Sequence, residues 1–494
     1  MISLNKVFLI TLDGARVRRQ GGCVRVISIL AALLATAAVA PVAAQGVAMD
    51  YATALRQAQS RSGAVAGADL DYQAKQLQAA AVRRIDGPDL RLNGFAGRVS
   101  TTLSVDTSGA AQAINPALDI LTPLLPPLPG LSLPEIPASL EVNRTFNVRS
   151  LGLGSVWPIY TGGRLDALKQ LAAGRADEAG AAVHSARDDL ALLLAQRYFT
   201  VQLARKASQL RQAAAALARE HQQDAVKLEK TGLIARVERL KADVAVDNAV
   251  REAAKAASDL EIAQLALDRL LGTTAAVKPT TPLFVHERAV GSLAAFVDAA
   301  MASNPAWRQL DSKRTQAAAN LKLQGSQFSP TVIGVANYNL NRGSSARANW
   351  LVGVAVSVPL VERVDRANMT AAARLEQQRV EVLAEQAGRD IPTLAERQWR
   401  SMEDARQRYL AMGSAIELAA ETRRLAQVSF KNGQATTTEV ADASLNATKA
   451  SLERAQAAYD YVLALAKLLG TAGQPEKLAA HANSASHIID LTKD

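Results

Sequence analysis

The chain has 494 residues, of which 49% are hydrophobic and 21% charged, and its formal net charge is +10 at pH 7. This composition excludes a disordered chain, which would lack the apolar residues needed for a core. The single Cys excludes a disulfide-stabilised scaffold. Because the positive charge is spread along the chain without a basic block, we expect no nucleic-acid partner.

Residues 1–44 have the layout of a secretory signal peptide. Four arginines precede an apolar run at residues 26–40, and the small residues Val42-Ala43-Ala44 follow it. The run of about 15 residues is shorter than the roughly 20 that a membrane-spanning helix needs, so a cleaved signal is favoured over an anchor. We therefore expect an exported protein that loses Cys23 with the signal and keeps no thiol.

The remainder of the chain consists of two repeats in which Gly and Pro residues recur in the same order. Residues 265–273 resemble residues 463–471, and each set closes one half. An ordered series of such matches indicates an internal duplication. We therefore divide the chain into a signal peptide at 1–44, a first repeat at 45–273, a linker at 274–291, a second repeat at 292–471 and a tail at 472–494.

Each repeat has the predicted order of a helix, two strands, one very long helix, a glycine turn and a further helix. A Pro-rich insertion separates the two strands of the first repeat, and we interpret it as a loop because prolines cluster there. In the first repeat we expect strands at about 90–105 and 143–157, the Pro-rich loop at about 106–141, the long helix at 162–230 and a helix at 234–271. In the second repeat we expect strands at 331–341 and 349–358, the long helix at 362–431 and a helix at 436–469.

The longest predicted elements are the two helices of nearly 70 residues. No Pro occurs in residues 163–230, and Leu, Ala and Val recur there at steps of three and four from Leu165 onward, which is typical of a coiled-coil stripe. At 1.5 Å per residue such a helix extends roughly 100 Å, so it must lie in a tube or a rod. The second long helix contains Pro392, which should kink it or loosen it locally.

The strands of the second repeat have one large apolar face. The opposite face is small, with Gly353, Ala355 and Ser357. Strands of about ten residues are long enough to cross a bilayer when tilted, although a soluble hairpin packed on a core would show the same alternation. Four strands cannot close a barrel in lipid, because open edges are forbidden there, so a membrane barrel would require several subunits. The residues expected to face lipid are Trp350, Val352, Val354, Val356 and Val358.

With these features the chain resembles the TolC-like outer-membrane efflux family, the outer-membrane components of tripartite efflux pumps and type I secretion systems. The resemblance covers nearly all of the chain after the signal peptide and depends on the two repeats, the long helices and the strand ends. In the first repeat a strand ends in Val156-Trp157-Pro158-Ile159-Tyr160 and is followed by Gly162-Gly163-Arg164. The second repeat has Ser357-Val358-Pro359-Leu360 but departs from the pattern with Val361-Glu362-Arg363.

The resemblance implies a mainly α-helical protein with a small membrane β part. Three protomers would each give four strands to a shared 12-stranded trimeric β-barrel in the bacterial outer membrane, in contact with its lipid. Their long helices would form a hollow coiled-coil tunnel in the periplasm, which docks a membrane-fusion adaptor and an inner-membrane pump of unknown class. No cofactor, metal site or enzymatic activity is expected, since the five histidines of the sequence lack metal-ligand spacing.

Two Gly-containing turns end the long helices. Gly after a Lys and a polar residue is a common helix C-terminus, so each turn has a purely local explanation. The resemblance instead places both turns at the periplasmic tip, where the adaptor docks. The residues of the two turns are Thr231, Gly232, Leu233 and Ile234 in the first and Asn432, Gly433, Gln434 and Ala435 in the second.

Acidic residues follow each turn. Glu439 and Asp442 lie six and nine residues after Gly433, and Glu238 lies six residues after Gly232. Their spacing of three puts Glu439 and Asp442 on one helical face, and the resemblance implies that this face lines the constricted entrance of the tunnel. Rings of carboxylates bind or select cations in pores, whereas solvated helix acids are the simpler alternative.

The leading functional hypothesis is an exit channel that passively conducts substrates from a periplasmic adaptor and an inner-membrane pump to the exterior. The alternative is a structural periplasmic coiled-coil protein without a pore. Strands with an apolar face favour the channel, because a rod has no use for them. An exported enzyme lacks candidate catalytic residues in this sequence.

Overall fold

A computed structural model describes residues 47–121, 134–340, 349–360 and 363–489 of the chain. The predicted signal peptide at 1–44, the middle of the Pro-rich segment and the end of the tail lie outside these residues. The first repeat and the linker contain β1 (Val47–Met49), α1 (Tyr51–Arg61), α2 (Gly63–Ala81), β2 (Asp89–Asp106), α3 (Ser108–Leu121), β3 (Ser139–Tyr160), α4 (Arg164–Lys230), α5 (Arg236–Leu271), β4 (Val277–Pro279) and β5 (Phe284–Val285). The second repeat and the tail contain α6 (Leu293–Ser303), α7 (Pro305–Ser326), β6 (Thr331–Asn339), β7 (Trp350–Ser357), α8 (Arg366–Lys431), α9 (Thr437–Thr471), α10 (Leu478–Asn483) and β8 (His487–Ile488).

Two helices, not one, precede the strand pair in each repeat. Helix α1 ends and α2 begins at Ser62, whose backbone is extended and whose side-chain oxygen accepts a hydrogen bond from Val65 N at 3.3 Å. Asn304 lies in the same way between α6 and α7, where its side-chain oxygen accepts from Ala306 N at 2.9 Å. Ser and Asn favour this N-cap position. Ser62 and Asn304 therefore separate α1 from α2 and α6 from α7 in the same way.

The Pro-rich segment, which the sequence predicts as a loop, includes the helix α3. This helix begins directly after β2, where Asp106 Oδ1 accepts a hydrogen bond from Ser108 N at 2.9 Å, and it contains Pro116. The side chain of Asn115 holds the returning chain, because it donates to Ile136 O at 2.8 Å and accepts from Ile136 N at 3.0 Å. The loop interpretation missed the helix because most of the prolines follow α3 in the sequence.

The long helices α4 and α8 have 67 and 66 residues, so each extends roughly 100 Å. Helix α4 packs along α5, α7 and α9, and α8 packs along α7 and α9. Many buried side chains of α4 are Ala, such as Ala195 and Ala225, which lets neighbouring helices approach closely. Helix α8 continues through Pro392, so the proline does not end it. No helix within the described ranges combines the length and the apolarity needed to cross a membrane.

The main hydrophobic core lies about half-way along α4, where both repeats meet the linker and the tail. Tyr51, Tyr198, Phe199, Phe284 and Tyr461 are each less than 2% exposed there, and the ring centroids of neighbouring pairs lie between 5.2 and 6.4 Å apart. The linker strand β4 pairs with β1, and β5 pairs with β8. Burial of each ring contributes roughly 1.5–3 kcal/mol, so this core fastens both ends of the described chain to the middle of the long helices.

One antiparallel sheet has the strand order β2-β3-β6-β7. Its register places Leu153 beside Tyr338 and Tyr338 beside Trp350. The middle of the sheet therefore joins one strand of the first repeat to one of the second. Within the described ranges, the outer edges of β2 and β7 have no neighbouring strand.

Candidate functional site

The sheet exposes a continuous apolar face that includes the five residues expected to contact lipid. Their exposed fractions run from 51% at Val358 to 68% at Trp350. The register puts Val352, Val354 and Val356 of this face beside Ala336, Gly334 and Val332 on β6. Large exposed apolar patches mark interaction surfaces, so this face requires a membrane or a protein partner. The members on the outermost strand and just beyond it are Trp350, Val352, Val354, Val356 and Val358.

Exposed aromatic residues lie at both ends of this apolar face. Trp157 and Tyr160 are 51% and 53% exposed near the long helices, and Tyr338 is 51% exposed at the opposite end beside Trp350. Aromatic girdles at both interfaces are typical of membrane strands. This role could not be predicted for Trp157, Tyr160 or Tyr338, because only the register puts them on the same face as Trp350.

The opposite face of the same sheet is mixed: it carries small and polar residues together with Ile333, Val335 and Leu351. On this face Asn93 lies beside Gly152, and Asn337 lies beside Gly154. A Cβ atom at Gly154 would lie 3.0 Å from Asn93 Nδ2, and one at Gly152 would lie 3.1 Å from the carbonyl oxygen of Tyr338. Glycine at these two positions therefore leaves room for polar side chains and backbone of the neighbouring strands.

The two glycine turns at the far ends of α4 and α8 have the same geometry. Gly232 and Gly433 have φ values of +76° and +75°, which favour glycine. Leu233 N donates to Leu228 O at 2.9 Å, and Gln434 N donates to Ser429 O at 2.8 Å, as in a Schellman motif. A Cβ atom at either glycine would meet nothing within 4 Å, so both turns are open to a partner. Ile234 and Ala435 contact one hydrophobic cluster made of Ala225, Ala242, Phe430 and Val440.

A second set of contacts joins the two long helices next to these turns. Lys431 at the end of α8 lies 3.2 Å from an Asp224 carboxylate oxygen and 3.7 Å from Glu220 on α4. The hydrogen bond to Asp224 raises the pKa of Lys431. The pair is partly exposed to water, so it contributes little to stability. The pair nevertheless marks where the end of α8 lies beside α4.

Glu439 lies at the start of α9 and caps that helix. Its Oε2 accepts a hydrogen bond from Thr436 N at 2.8 Å, while the Thr436 hydroxyl accepts from Glu439 N at 3.3 Å. This reciprocal arrangement is a capping box. The sequence signal for this role is the Thr-x-x-Glu pattern of Thr436 and Glu439. Glu439 and Asp442 are both exposed on the same side of α9, so the cap leaves the carboxylate next to solvent.

Glu238 joins the two repeats at the same place. Its Oε2 accepts a hydrogen bond from Thr437 N at 2.9 Å, and its backbone carbonyl accepts from the Thr437 hydroxyl at 3.0 Å. Lys241 Nζ lies 2.9 Å from Glu238 Oε1. Lys241 and the Thr437 amide together hold the pKa of Glu238 below its usual value. The three predicted acids Glu238, Glu439 and Asp442 therefore lie around the N-terminal turns of α9.

A groove of about 280 Å³ lies beside these acids between α4, α5 and α9. Asp442, Leu445, Arg211 and His221 are among the residues that line it. The ring centroid of His221 lies 4.3 Å from that of Phe430, and burial lowers the pKa of this histidine. His221 could not be predicted as a tip residue from the sequence, because no motif connects it to the turns. Within the described ranges, no three His, Cys, Asp or Glu side chains are arranged to hold a metal ion.

Comparison with known proteins identifies relatives of this architecture. Residues 54–273 match the family described as outer membrane efflux protein. The fold is similar to the Campylobacter jejuni CmeC outer membrane channel, at 12% identity and a TM-score of 0.70 over 90% of this chain and 87% of that one. It is also similar to the outer membrane protein VceC of Vibrio cholerae, at 15% identity and a TM-score of 0.69 over 86% of this chain and 96% of that one.

A third solved structure has the same fold. It is the open state of the Neisseria gonorrhoeae MtrE outer membrane channel, at 18% identity and a TM-score of 0.67 over 86% of this chain and 89% of that one. No curated protein matches the chain in sequence. The likeness to the solved structures therefore concerns the fold, and the family match supports it from the sequence of the first repeat.

Proposed function

We propose that this chain, a member of the TolC-like outer membrane efflux protein family, is an exit channel of the bacterial outer membrane. Channels of this family transport solutes and work with adaptor proteins and inner-membrane pumps. In this proposal the chain conducts substrates passively, as part of a tripartite efflux or type I secretion system. Energy then comes from the inner-membrane partner, and the chain itself catalyses no reaction.

One observation carries this proposal. A sheet with one exposed, uniformly apolar face, and an opposite face that mixes glycines and polar residues with a few apolar ones, is joined directly to helices of roughly 100 Å. A strand of a membrane barrel has two unlike faces, one for lipid and one for the interior. A structural coiled-coil rod, the alternative, would leave the apolar face uncovered, which soluble proteins avoid.

A barrel shared between copies of the chain would give the outer edges of β2 and β7 a neighbouring strand. In lipid, an unpaired strand edge costs several kcal/mol for each backbone group without a partner. If β7 of one copy pairs with β2 of the next, three copies close a barrel of 12 strands, four from each. The homotrimer that this requires is typical of the family. Its helices would then continue the barrel as a periplasmic tunnel.

An arginine on either face of β7 tests the barrel. Val354→Arg places a charge on the apolar face and should destabilise the membrane-inserted form by about 2–4 kcal/mol near the bilayer midplane. Ala355→Arg is the matched control, because Ala355 is next to Val354 in sequence but lies on the opposite face of β7, which in the proposed barrel faces water. We expect heat-modifiable migration of the membrane-extracted oligomer to be lost with Val354→Arg and kept with Ala355→Arg. Equal behaviour of the two variants would contradict a lipid-facing Val354.

The acids of the tip are proposed as the entrance of the tunnel. Threefold symmetry would turn Glu439 and Asp442 into two rings of carboxylates, with Glu238 close by. Such rings concentrate cations at a pore. The proposal is supported by the exposure of Glu439 and Asp442 on one side of α9 and by the contact between Glu238 and Thr437.

Neutral isosteres test the entrance without removing the cap. Glu439→Gln keeps an oxygen for Thr436 N, because Gln also serves in a capping box, and Asp442→Asn keeps the side-chain shape. The double variant should lose cation selectivity and block by multivalent cations in single-channel recordings, and its thermal stability should remain that of wild type. Unchanged selectivity would mean that both acids are solvated helix residues with no role in the pore entrance.

The two glycine turns are proposed as the surface that docks the adaptor. They are exposed, have nearly identical backbones and lie on one hydrophobic cluster. Gly433→Val should distort the turn, since valine disfavours positive φ, whereas Gly433→Asn should tolerate it. Co-purification with native periplasmic and inner-membrane partners should fall for the first variant and persist for the second. If Gly433→Val still forms the complex normally, this turn does not belong to the docking surface.

A further inference from the structure

The hairpin of β2 and β3 is much longer than that of β6 and β7. Its ladder keeps one register from the pair Asp89 and Val156 to the pair Asp106 and Ser139, whereas β6 accompanies β3 only as far as Gly152. Beyond that level the hairpin continues as two strands for about 13 residue pairs, roughly 45 Å. We call residues 94–106 and 139–151 the distal ribbon. A two-stranded ribbon is only marginally stable in water, so it needs a further packing partner.

The apolar side of the sheet changes at the start of the distal ribbon. Below it, Leu90, Leu92 and Leu153 lie on the face that carries Trp350. Above Leu151, which still lies on that face, the same face carries Gly94, Ala96 and otherwise polar residues, and the large apolar residues lie on the opposite face. Because the register does not shift, the change comes from the sequence pattern and not from the backbone. We call the seven residues the inverted apolar row: Phe95, Val99, Leu103, Val105, Leu140, Val142 and Val148.

The polar face of the distal ribbon is suited to water. Arg98 Nε donates to Asn147 Oδ1 at 3.4 Å, and the hydroxyls of Thr145 and Ser100 lie 3.4 Å apart. Thr102 donates a further cross-strand hydrogen bond on this face, to Asn143. Polar groups satisfied in this way can face solvent above the membrane without a partner.

The inverted apolar row is uncovered by the rest of the described chain. Leu103 is 62% exposed, and Val105, Leu140 and Val142 are each more than 45% exposed. Helix α3 begins at the end of the ribbon and does not remove this exposure. An exposed apolar strip on a long ribbon is an aggregation hazard unless a specific surface covers it.

The side of the sheet on which the inverted apolar row lies indicates what covers it. If the Trp350 face meets lipid, the inverted apolar row faces the barrel axis, and a threefold axis brings three identical rows toward one another. We infer that the distal ribbons of the three copies pack against each other through the inverted apolar row, above the lumen of the barrel. This inference depends on the proposed function, because it requires the shared barrel.

One charged residue of the ribbon limits where the copies meet. Arg144 lies on the inverted face beside Thr101, and three guanidinium groups at one axis would repel each other. Arg144 separates Val99 and Val148 from the pairs nearer the ribbon end. The contact between copies therefore involves the end of the ribbon, where Leu103 lies beside Val142 and Val105 lies beside Leu140.

Neighbouring residues on opposite faces provide the test. The only Cys of the sequence, Cys23, lies in the predicted signal peptide, so a single introduced Cys would be the only thiol of the mature chain. Outer membranes that contain Leu103→Cys are treated with a short bifunctional maleimide. This variant should give a covalently linked dimer, because one reagent molecule joins two of the three chains and leaves the third unlinked. Val105→Cys should do the same. Thr102→Cys is the control, and it should remain uncross-linked because it faces outward.

The outcomes separate the inference from the proposed function. The native mass of each extracted variant gives its number of copies. A trimer in which Leu103→Cys and Val105→Cys do not cross-link, or cross-link no better than Thr102→Cys, would overturn the inference and leave the channel intact. A monomer would overturn the shared barrel and the inference together. Selective cross-linking of the two inward residues within a trimer would support both.

Discussion

The hydrogen bond between Glu238 and Thr437 leads to the most specific prediction about the tip. The Glu238 carboxylate accepts from Thr437 N, which belongs to the first turn of α9 and has no partner within that helix. Thr437 itself is only 1% exposed. Glu238→Ala therefore leaves a buried amide at a helix N-terminus without its acceptor. Glu238→Gln keeps an acceptor but loses the charge.

The free-energy cost of Glu238→Ala follows from the loss of a hydrogen bond to a charged carboxylate. A hydrogen bond to a charged group contributes about 1.5–3 kcal/mol. The Glu238 side chain is 18% exposed and its ion pair with Lys241 reaches solvent, so we expect about 1.5 kcal/mol, the lower end of that range. This corresponds to a roughly tenfold increase in the population of the locally opened tip. Glu238→Gln should have a smaller effect.

Amide hydrogen exchange of the purified protein measures this opening. Peptides that cover residues 429–442 should exchange roughly tenfold faster in Glu238→Ala, and peptides from the central core should not change. Glu252→Ala is the matched control, because Glu252 is also on α5 and its side chain is 51% exposed beside Arg211. Equal protection in wild type and Glu238→Ala would refute the role of this bond.

The pH dependence gives an independent check of the same bond. The pKa of Glu238 is lowered from its ordinary value of 4.5 by Lys241 and the Thr437 amide. Its stabilising effect is therefore complete above pH 4.5 and is lost as the pH falls through the lower, folded-state pKa. Wild type and Glu238→Ala should approach the same tip protection in acid. A difference that persists in strong acid would assign the effect to packing and not to the carboxylate.

Three further predictions concern the tip, the core and the Pro-rich segment. Phe430→Ala, at a site 1% exposed, should cost about 3–5 kcal/mol and make the turn at Gly433 sensitive to protease; unchanged resistance would contradict tight packing there. Burial raises the pKa of Asp188 to about 6, so Asp188→Asn should raise the thermal midpoint at pH 8, and the gain should shrink as the pH falls below 6; a gain independent of pH would refute the ionisation argument. Deleting residues 110–136 should spare assembly, because Thr107 N donates to Ala138 O at 3.1 Å across the base of the segment; loss of the oligomer in native electrophoresis would contradict this.

The sequence was most informative where the pattern is local and periodic. The mainly helical fold with a small sheet and the family resemblance are confirmed by the structure and by the family match. The alternation of Trp350, Val352 and Val354 indicated an apolar face, because strand side chains alternate with a period of two. The likeness of residues 265–273 to residues 463–471 predicted a duplication, because an ordered series of matches indicates an internal repeat.

The sequence was least informative where distant residues meet. Glu238 and Thr437 are separated by 199 positions, and no spacing rule could join them. Glu439 was assigned from its distance to Gly433, although its carboxylate also caps α9 through Thr436. Helix α3 was missed because clustered prolines dominated the pattern. The inverted apolar row was present in the sequence, but only the register of β2 and β3 places it opposite the Trp350 face.

The current through the isolated protein tests the central claim most directly. Protein extracted from outer membranes without its adaptor or pump is added to a planar lipid bilayer, and single insertions are recorded. We predict discrete, cation-selective conductance steps from an oligomer, because the proposed barrel and tunnel would form one water-filled path. Membrane-inserted oligomers that carry no current, or protein that remains a soluble rod, would contradict it.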